Sequence, residues 1–278
     1  MINKEEIVTG DNIELICDYI FDIDNYIDRV KYQGDKQKLI DEQINIINIQ
    51  KPSIIFVYGH DTIKFLQNIN KIQYKFTLVT HNSDLGIFEE YRPYINDNII
   101  KWFGQNNYIK HEKVFSLPIG IARARWLHGN LDLLKNVMNQ NNTKTNLVYK
   151  NFNINTNINE RLNVHRITQQ NGIVLQEPKS IQRYWEELSK ACFIISPKGN
   201  GVDCHRIWES LYLKSVPVVQ KHPTFDQFND LPILFIDDWS QVTFEFLKKN
   251  LNIFDKFNDS NSLEKLKISY WKKIITKN

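Results

Sequence analysis

Cysteine is scarce in this chain. Its 278 residues include three, Cys17, Cys192 and Cys204, too few and too scattered for a disulfide framework or a zinc site. A reducing compartment is the expectation. The opening residues carry no basic stretch followed by an apolar core, so no signal peptide is expected. No run of about 18 apolar residues occurs, which leaves no candidate transmembrane helix. These absences predict a cytoplasmic protein with no integral membrane segment. Charge is nearly balanced, with 35 Lys and Arg against 32 Asp and Glu. Without a basic block or stripe, nucleic acid is an unfavourable partner. Two glycosylation sequons, at Asn141 and Asn258, read as chance in an Asn-rich chain. No internal repeat is visible.

What is present is an alternation of buried strands and helical stretches. Residues 53–58 form an apolar run closed by Gly59, the pattern of a strand covered on both faces. Similar runs occupy 76–80, 99–103 and 114–117. Residues 12–30 read as one amphipathic helix, with Ile16, Tyr19, Ile20, Ile23, Ile27 and Val30 at helical spacing and Asp11 and Glu14 as its capping pair. A polar stretch at 136–146 reads as a linker. The alternation then restarts, with strands at 147–149, 173–175, 193–195, 216–219 and 233–236 and helices at 159–170 and 180–190. A final helix is expected over about 262–277. Strands alternating with helices predict an α/β fold with parallel sheets. The domain boundaries that follow are 1–140, 141–258 and a C-terminal helix at 259–278 that packs back on the first domain.

Residues 193–219 are the most informative segment. An apolar strand, Phe193 to Ile195, enters a glycine-bearing loop, Pro197 to Gly201, and a helix opens near Asp203. Such a loop aims backbone N–H groups at the positive end of a helix dipole, an arrangement suited to phosphate. Ser196, Lys198, Gly199, Asn200, Gly201, Asp203, Arg206 and Glu209 are the candidate ligand-binding residues. The loop is not a P-loop, since no Gly-Lys-Ser/Thr closes it. Gly199-Asn200-Gly201 also lacks the third glycine of the dinucleotide fingerprint.

The stretch Ser-Pro-Lys-Gly-Asn-Gly-Val-Asp-Cys-His-Arg-Ile-Trp-Glu-Ser-Leu at 196–211, followed by Val216-Pro217-Val218-Val219, resembles the signature of exostosin-type glycosyltransferases and their short viral and bacterial relatives. Supporting pieces are Tyr149-Lys150-Asn151-Phe152, Thr156-Asn157, Glu160-Arg161, the loop from Thr80 to Asp84, and Pro118-Ile119-Gly120. The resemblance covers 145–220 closely and 75–125 loosely. It implies two facing Rossmann-like domains of the GT-B type, a nucleotide-sugar donor held by the second domain, and inverting, metal-independent transfer without a cofactor. Ser215 departs from the pattern, where a glycine is expected.

The chemistry of the residues agrees with that implication. Breaking a sugar–diphosphate bond leaves negative charge on the departing nucleotide, which a bound cation or fixed positive groups must stabilise. Asp22-Ile23-Asp24 is an Asp-x-Asp candidate for a metal, but its position inside the expected first helix makes its carboxylates solvated surface groups. Lys198, Arg206, Arg161 and Arg166 supply the alternative. Arg161 and Arg166 either contact phosphate or pair with Glu160 or Glu177. Arg183 and Tyr184, at the start of a helix, are candidates for base or diphosphate. Glu209 is either a ribose contact or half of a surface pair with Arg206, and Asp203 is either a helix cap or a sugar contact.

Inverting transfer also needs a base for the acceptor hydroxyl. Asp84, in the polar loop after the 76–80 strand, is the candidate, unless Asp84 or Ser83 only caps a helix containing Ile87 to Tyr91. His81 is the second catalytic candidate, and His60 and Asn82 are candidate acceptor contacts. The expected reaction moves a sugar from a nucleoside-diphosphate donor, UDP in the first instance, to a glycan hydroxyl. The alternatives are an inactive glycan- or nucleotide-binding module, or another nucleotide-sugar-using α/β enzyme.

Overall fold

The computed structural model describes residues 2–140 and 143–277. It divides into two compact units. One holds Gly10–Pro118 with the residues from Trp271 onward, and the other holds the residues up to Thr9 with Ile119–Tyr270. The division falls after Pro118, whereas the sequence pattern places it after 140. The sequon at Asn141, and the part of the expected linker at Asn141 and Asn142, lie outside the described residues. No described helix is long and apolar enough to cross a membrane.

The unit beginning at Gly10 has helices α1 (Gly10–Glu14), α2 (Asp24–Val30) and α3 (Lys36–Gln50), with strand β1 (Tyr19–Phe21) between the first two. It continues with β2 (Ile54–Tyr58), α4 (Thr62–Asn68), β3 (Phe76–His81), β4 (Ile99–Gly104) and β5 (Val114–Ser116). The strands form one parallel sheet in the order β1-β2-β3-β4-β5. Every residue of β2 and β3 is buried, as expected for a parallel sheet covered on both faces. Ile44, Ile47, Phe65, Phe76 and Trp102 pack in its core.

The expected helix over 12–30 is a correction. Its apolar spacing also permits an extended segment, and pairing with β2 decides the outcome. Asp18 seats the edge: its amide donates to the Ile54 carbonyl and its carboxylate accepts from the Ile54 amide. Tyr19 then registers with Ile55 and Phe21 with Val57. Asp22-Ile23-Asp24 therefore leaves a strand rather than riding a helix face, although Ile23 is buried as expected.

The other unit carries α5 (Leu131–Met138), β6 (Asn146–Tyr149), α6 (Ile158–Gln170), α7 (Ile181–Ser189), β7 (Ala191–Ile195), α8 (His205–Tyr212), β8 (Val216–Gln220), β9 (Leu234–Ile236) and α9 (Phe244–Lys249). The last helix, α10 (Ile268–Ile275), begins later than expected, after a 3-10 turn at Glu264–Leu266. The second sheet is parallel, in the order β6-β7-β8-β9. Residues 173–175 are not a strand. The Ile173 amide bonds back to the Thr168 carbonyl and the Gln176 amide to the Lys150 carbonyl, so the segment is tied at both ends outside the sheet ladder. The expected helix at Ile87 is likewise a 3-10 segment, Glu89–Tyr94, interrupted by Pro93, whose missing N–H suits it poorly to an α-helix interior.

Candidate functional site

The loop after β7 is shaped by α6. Asn157 caps that helix, its side-chain oxygen accepting from the Glu160 amide, and its side-chain amide donates to the Gly199 carbonyl at 2.8 Å. Arg161, one turn later, donates Nε to the Lys198 carbonyl at 3.0 Å and Nη1 to the Asn153 carbonyl at 2.7 Å. A Cβ at position 199 would sit 2.9 Å from Arg161 Nη2, so a side chain there would displace that guanidinium. The Gly199 N–H is itself taken by the Gly201 carbonyl, so this amide does not project toward a ligand as the glycine pattern implied. Lys198 and Asn200 are exposed, and Lys198 lies 3.4 Å from the Glu160 carboxylate.

Arg206 sits in the first turn of α8. Its Nε donates to the Asn151 carbonyl at 3.1 Å, while Nη1 is buried with no hydrogen-bond partner among the described residues. The guanidinium carbons of Arg161 and Arg206 lie 5.8 and 5.7 Å from the centre of the Phe152 ring, within cation–π range. Burial and the neighbouring Arg206 charge lower Arg161 to about 10. Burial also opposes the Arg206 charge, but Tyr184, Cys204 and Glu209 outweigh it and hold Arg206 above its usual range. Two guanidinium groups are thus concentrated beside one ring and one loop, and one donor of Arg206 stays unfilled. Such a cluster favours an anion.

Glu209 is 4% exposed, not half of a surface pair. Burial raises its carboxyl, against the pull of Arg206, and the Tyr184 hydroxyl donates to it at 3.2 Å. Arg183, by contrast, is exposed on α7. Tyr184, one position on, is the residue of that helix that joins the site.

Asp203 is neither helix cap nor exposed sugar contact. It is 2% exposed, accepts from the Ile119 amide at 2.7 Å and Trp208 Nε1 at 2.8 Å, and is pushed up to about 7 by burial. It fastens the loop rather than facing a ligand. Ser196 is also internal, its hydroxyl donating to the Ile194 carbonyl. The departure at Ser215 has a structural use: its hydroxyl donates to the Leu188 carbonyl and accepts from Lys144. The left-handed residue of that turn is Lys214, with φ +54°. Arg166 is exposed. His222, to which the sequence pattern assigns no role, follows β8 and feels the Lys198 charge; burial first, then Lys198, lowers its pKa.

In the unit carrying the first sheet, His60 follows β2, His81 ends β3 and Asn82 to Asp84 follow it, at the edge where open α/β sheets bind ligands. Asp84 is exposed, and its carbonyl accepts from Asn106. His81 is 1% exposed, with Nε2 3.0 Å from the Pro118 carbonyl and Nδ1 3.0 Å from Asn82 Oδ1. Both ring nitrogens are engaged, so His81 braces the loop and is unsuited to taking a substrate proton. Asn82, left-handed at φ +63°, donates to Glu14 Oε2 at 3.2 Å, and the Tyr58 hydroxyl donates to the same oxygen at 2.8 Å. Glu14 is thus a carboxylate fixed at this edge. Its sequence context points only to capping, because its partners come from β2 and the segment after β3.

Asp22, His60 and Asp61 bring potential ligand atoms within 4.8 Å of one another. Asp61 is already filled: it accepts from the Ile23 and Asp24 amides and from Lys64 Nζ. Lys64 also pairs with Asp24. Lys64 therefore compensates Asp61 and Asp24 beside this group. Asp22 is half-buried, and burial followed by Asp61 raises its carboxyl, so it is not the solvated surface group that its sequence context predicts.

The family model described as the RXYLT1 C-terminal domain matches residues 133–271, half of the chain and the whole of the loop just described. No curated protein matches.

Proposed function

The chain belongs to the family of the RXYLT1 C-terminal domain, an exostosin-related glycosyltransferase family, and on that premise we propose that it transfers a sugar from a nucleoside-diphosphate donor, UDP in the first instance, to a glycan hydroxyl with inversion. The two parallel-sheet units are then the two Rossmann-like domains of a GT-B-type enzyme. Arg206, Arg161 and Lys198 hold the diphosphate, and Glu209, oriented by Tyr184, holds the ribose.

In the reaction, the acceptor oxygen attacks the anomeric carbon as the bond from that carbon to the β-phosphate oxygen breaks. The acceptor proton passes to a carboxylate, and the nucleotide leaves with the bonding electron pair. Asp84 is the proposed base, and Glu14 on the same sheet edge is the alternative, because its position is fixed by Tyr58 and Asn82. Guanidinium groups already in place perform the charge stabilisation that other enzymes assign to a metal, so transfer is proposed to be metal-independent.

One observation carries this reading: the buried, unpartnered Nη1 of Arg206. A buried charged donor without a partner costs several times an ordinary hydrogen bond, and a phosphate oxygen removes that cost. Thermal stabilisation by UDP- and GDP-sugars in EDTA tests it. At about 100 times its dissociation constant a ligand adds roughly 2.7 kcal/mol, so one nucleotide series should raise the melting temperature and, with acceptor, release free nucleotide. No stabilisation by either series would overturn the proposal.

A further inference from the structure

The second sheet has a cavity at the ends of its strands opposite the loop at 197–203. Its walls come from the end of α5, Lys144 before β6, the end of α8 and residues between Phe254 and Lys267. Lys144 precedes β6 and Lys214 precedes β8, so both lie at the amino ends of the strands, whereas the loop at 197–203 follows the carboxyl end of β7. A strand of five residues separates the two edges by about 16 Å. The cavity encloses about 730 Å³, within the range that takes a small organic molecule.

Its lining is of two kinds. Phe254, Phe257, Leu263 and Leu266 supply an apolar wall, and Lys144, Lys214 and Lys267 supply positive charge; no Asp or Glu is among the lining residues. Lys144 uses its ammonium to tie together the Ser189 and Leu213 carbonyls and the Ser215 hydroxyl. All three acceptors are neutral, so its charge is not cancelled. Burial lowers its pKa to about 8; Cys192 acts against this, and repulsion from Lys214 adds to it. Lys214 is exposed, held left-handed at the end of α8, and has no ion-pair partner among the described residues. Of the three lysines, Lys267 alone pairs with a carboxylate among the described residues, that of Glu264. Two uncompensated cations beside an aromatic and aliphatic wall match a ligand that is anionic at one end and apolar along the rest.

We propose that this cavity binds a small apolar-tailed anion, an acyl carboxylate or an alkyl phosphate, with its head at Lys214, beside the buried charge of Lys144, and its tail against Phe254, Phe257 and Leu266. The site is separate from nucleotide binding and does not depend on the glycosyltransferase reading. Calorimetric titration of the full chain with decanoate, decyl phosphate and decanol, each below its micelle concentration, tests it. Both or either anion should bind one per chain and at least tenfold more tightly than decanol, and whichever anion is the tighter identifies the head group. Lys214→Glu, an exposed change that leaves the core intact, should weaken that anion at least tenfold. Leu263→Trp, at the rim, should weaken all three ligands together, while UDP should titrate equally with and without decanoate. No anion binding, equal binding of anion and decanol, or an unchanged affinity in Lys214→Glu would each overturn the assignment.

Discussion

Arg161 Nε donates to the backbone carbonyl of Lys198 at 3.0 Å, joining α6 to a loop 37 residues later in the chain. The side chain thus builds the loop, and its charge serves the proposed site only secondarily. Lysine cannot reproduce the fork that also reaches the Asn153 carbonyl. Arg161→Lys is expected to lose about 2 kcal/mol of local stability, the scale of one charged hydrogen bond. Hydrogen exchange read by mass spectrometry should show faster exchange across 197–203 with β7 unchanged; equal protection in both proteins would contradict the assignment.

Asp203 gives a pH signature. Its folded-state value of about 7 lies above the ordinary 3.8, so between these values the unfolded chain has lost a proton that the folded chain keeps. This group's contribution to stability therefore falls as pH rises from about 4 to 7. Asp203→Asn removes the titration but opposes an amide N–H₂ to one of the donors, Ile119 N or Trp208 Nε1. The variant should be less stable at pH 4.5, with a deficit that narrows by pH 7.5. Melting temperatures across that range check it, and a deficit constant with pH would refute it.

Lys150 works in the opposite direction. It is 1% exposed, with the Thr168 hydroxyl as its hydrogen-bond partner among the described residues, and burial lowers it to about 8 from 10.5. Between pH 8 and 10.5 the unfolded chain holds more protons, so stability should rise with pH through that window. Lys150→Met keeps the volume and removes the cost of charging. The gain at pH 7 is at most about 3 kcal/mol, since each tenfold loss of proton affinity corresponds to roughly 1.4 kcal/mol. Chemical denaturation at pH 7 and 10 measures it, and a variant less stable at pH 7 would contradict it.

Asp84 is tested through chemistry. Asp84→Asn, an exposed and nearly isosteric change, is expected to lower transfer by about 10²–10⁴, the range for a positioned base, with UDP affinity retained. Transfer rate and UDP titration on the same sample separate the two. If Asp84→Asn transfers normally and Glu14→Gln does not, the base is Glu14.

The strands were legible because continuous apolar runs such as 54–58 and 76–80 have no other stable location than a doubly covered sheet. The loop at 197–203 was legible as a break between the apolar strand at 193–195 and the helix that follows, because Pro197, Gly199 and Gly201 suit neither element. Other features depend on partners that sequence proximity does not reveal. The strand at Tyr19–Phe21 exists because β2 offers it an edge. Asp203 is an anchor because Ile119 and Trp208 converge on it. Glu14 is fixed only once Tyr58 and Asn82 arrive from β2 and the segment after β3. Arg183 and Tyr184 were equal candidates in a helix read without its orientation; packing of Trp185 into the core turns Tyr184 toward Glu209 and leaves Arg183 in solvent.

The most direct test is the affinity of UDP for the native chain and for Arg206→Ala, titrated calorimetrically in EDTA. The account predicts that the native chain binds UDP with the metal removed. It also predicts at least tenfold weaker binding by the variant, since a hydrogen bond to a charged group contributes about 1.5–3 kcal/mol. Equal affinity in the two proteins, or binding by the native chain only after a divalent cation is restored, would contradict it.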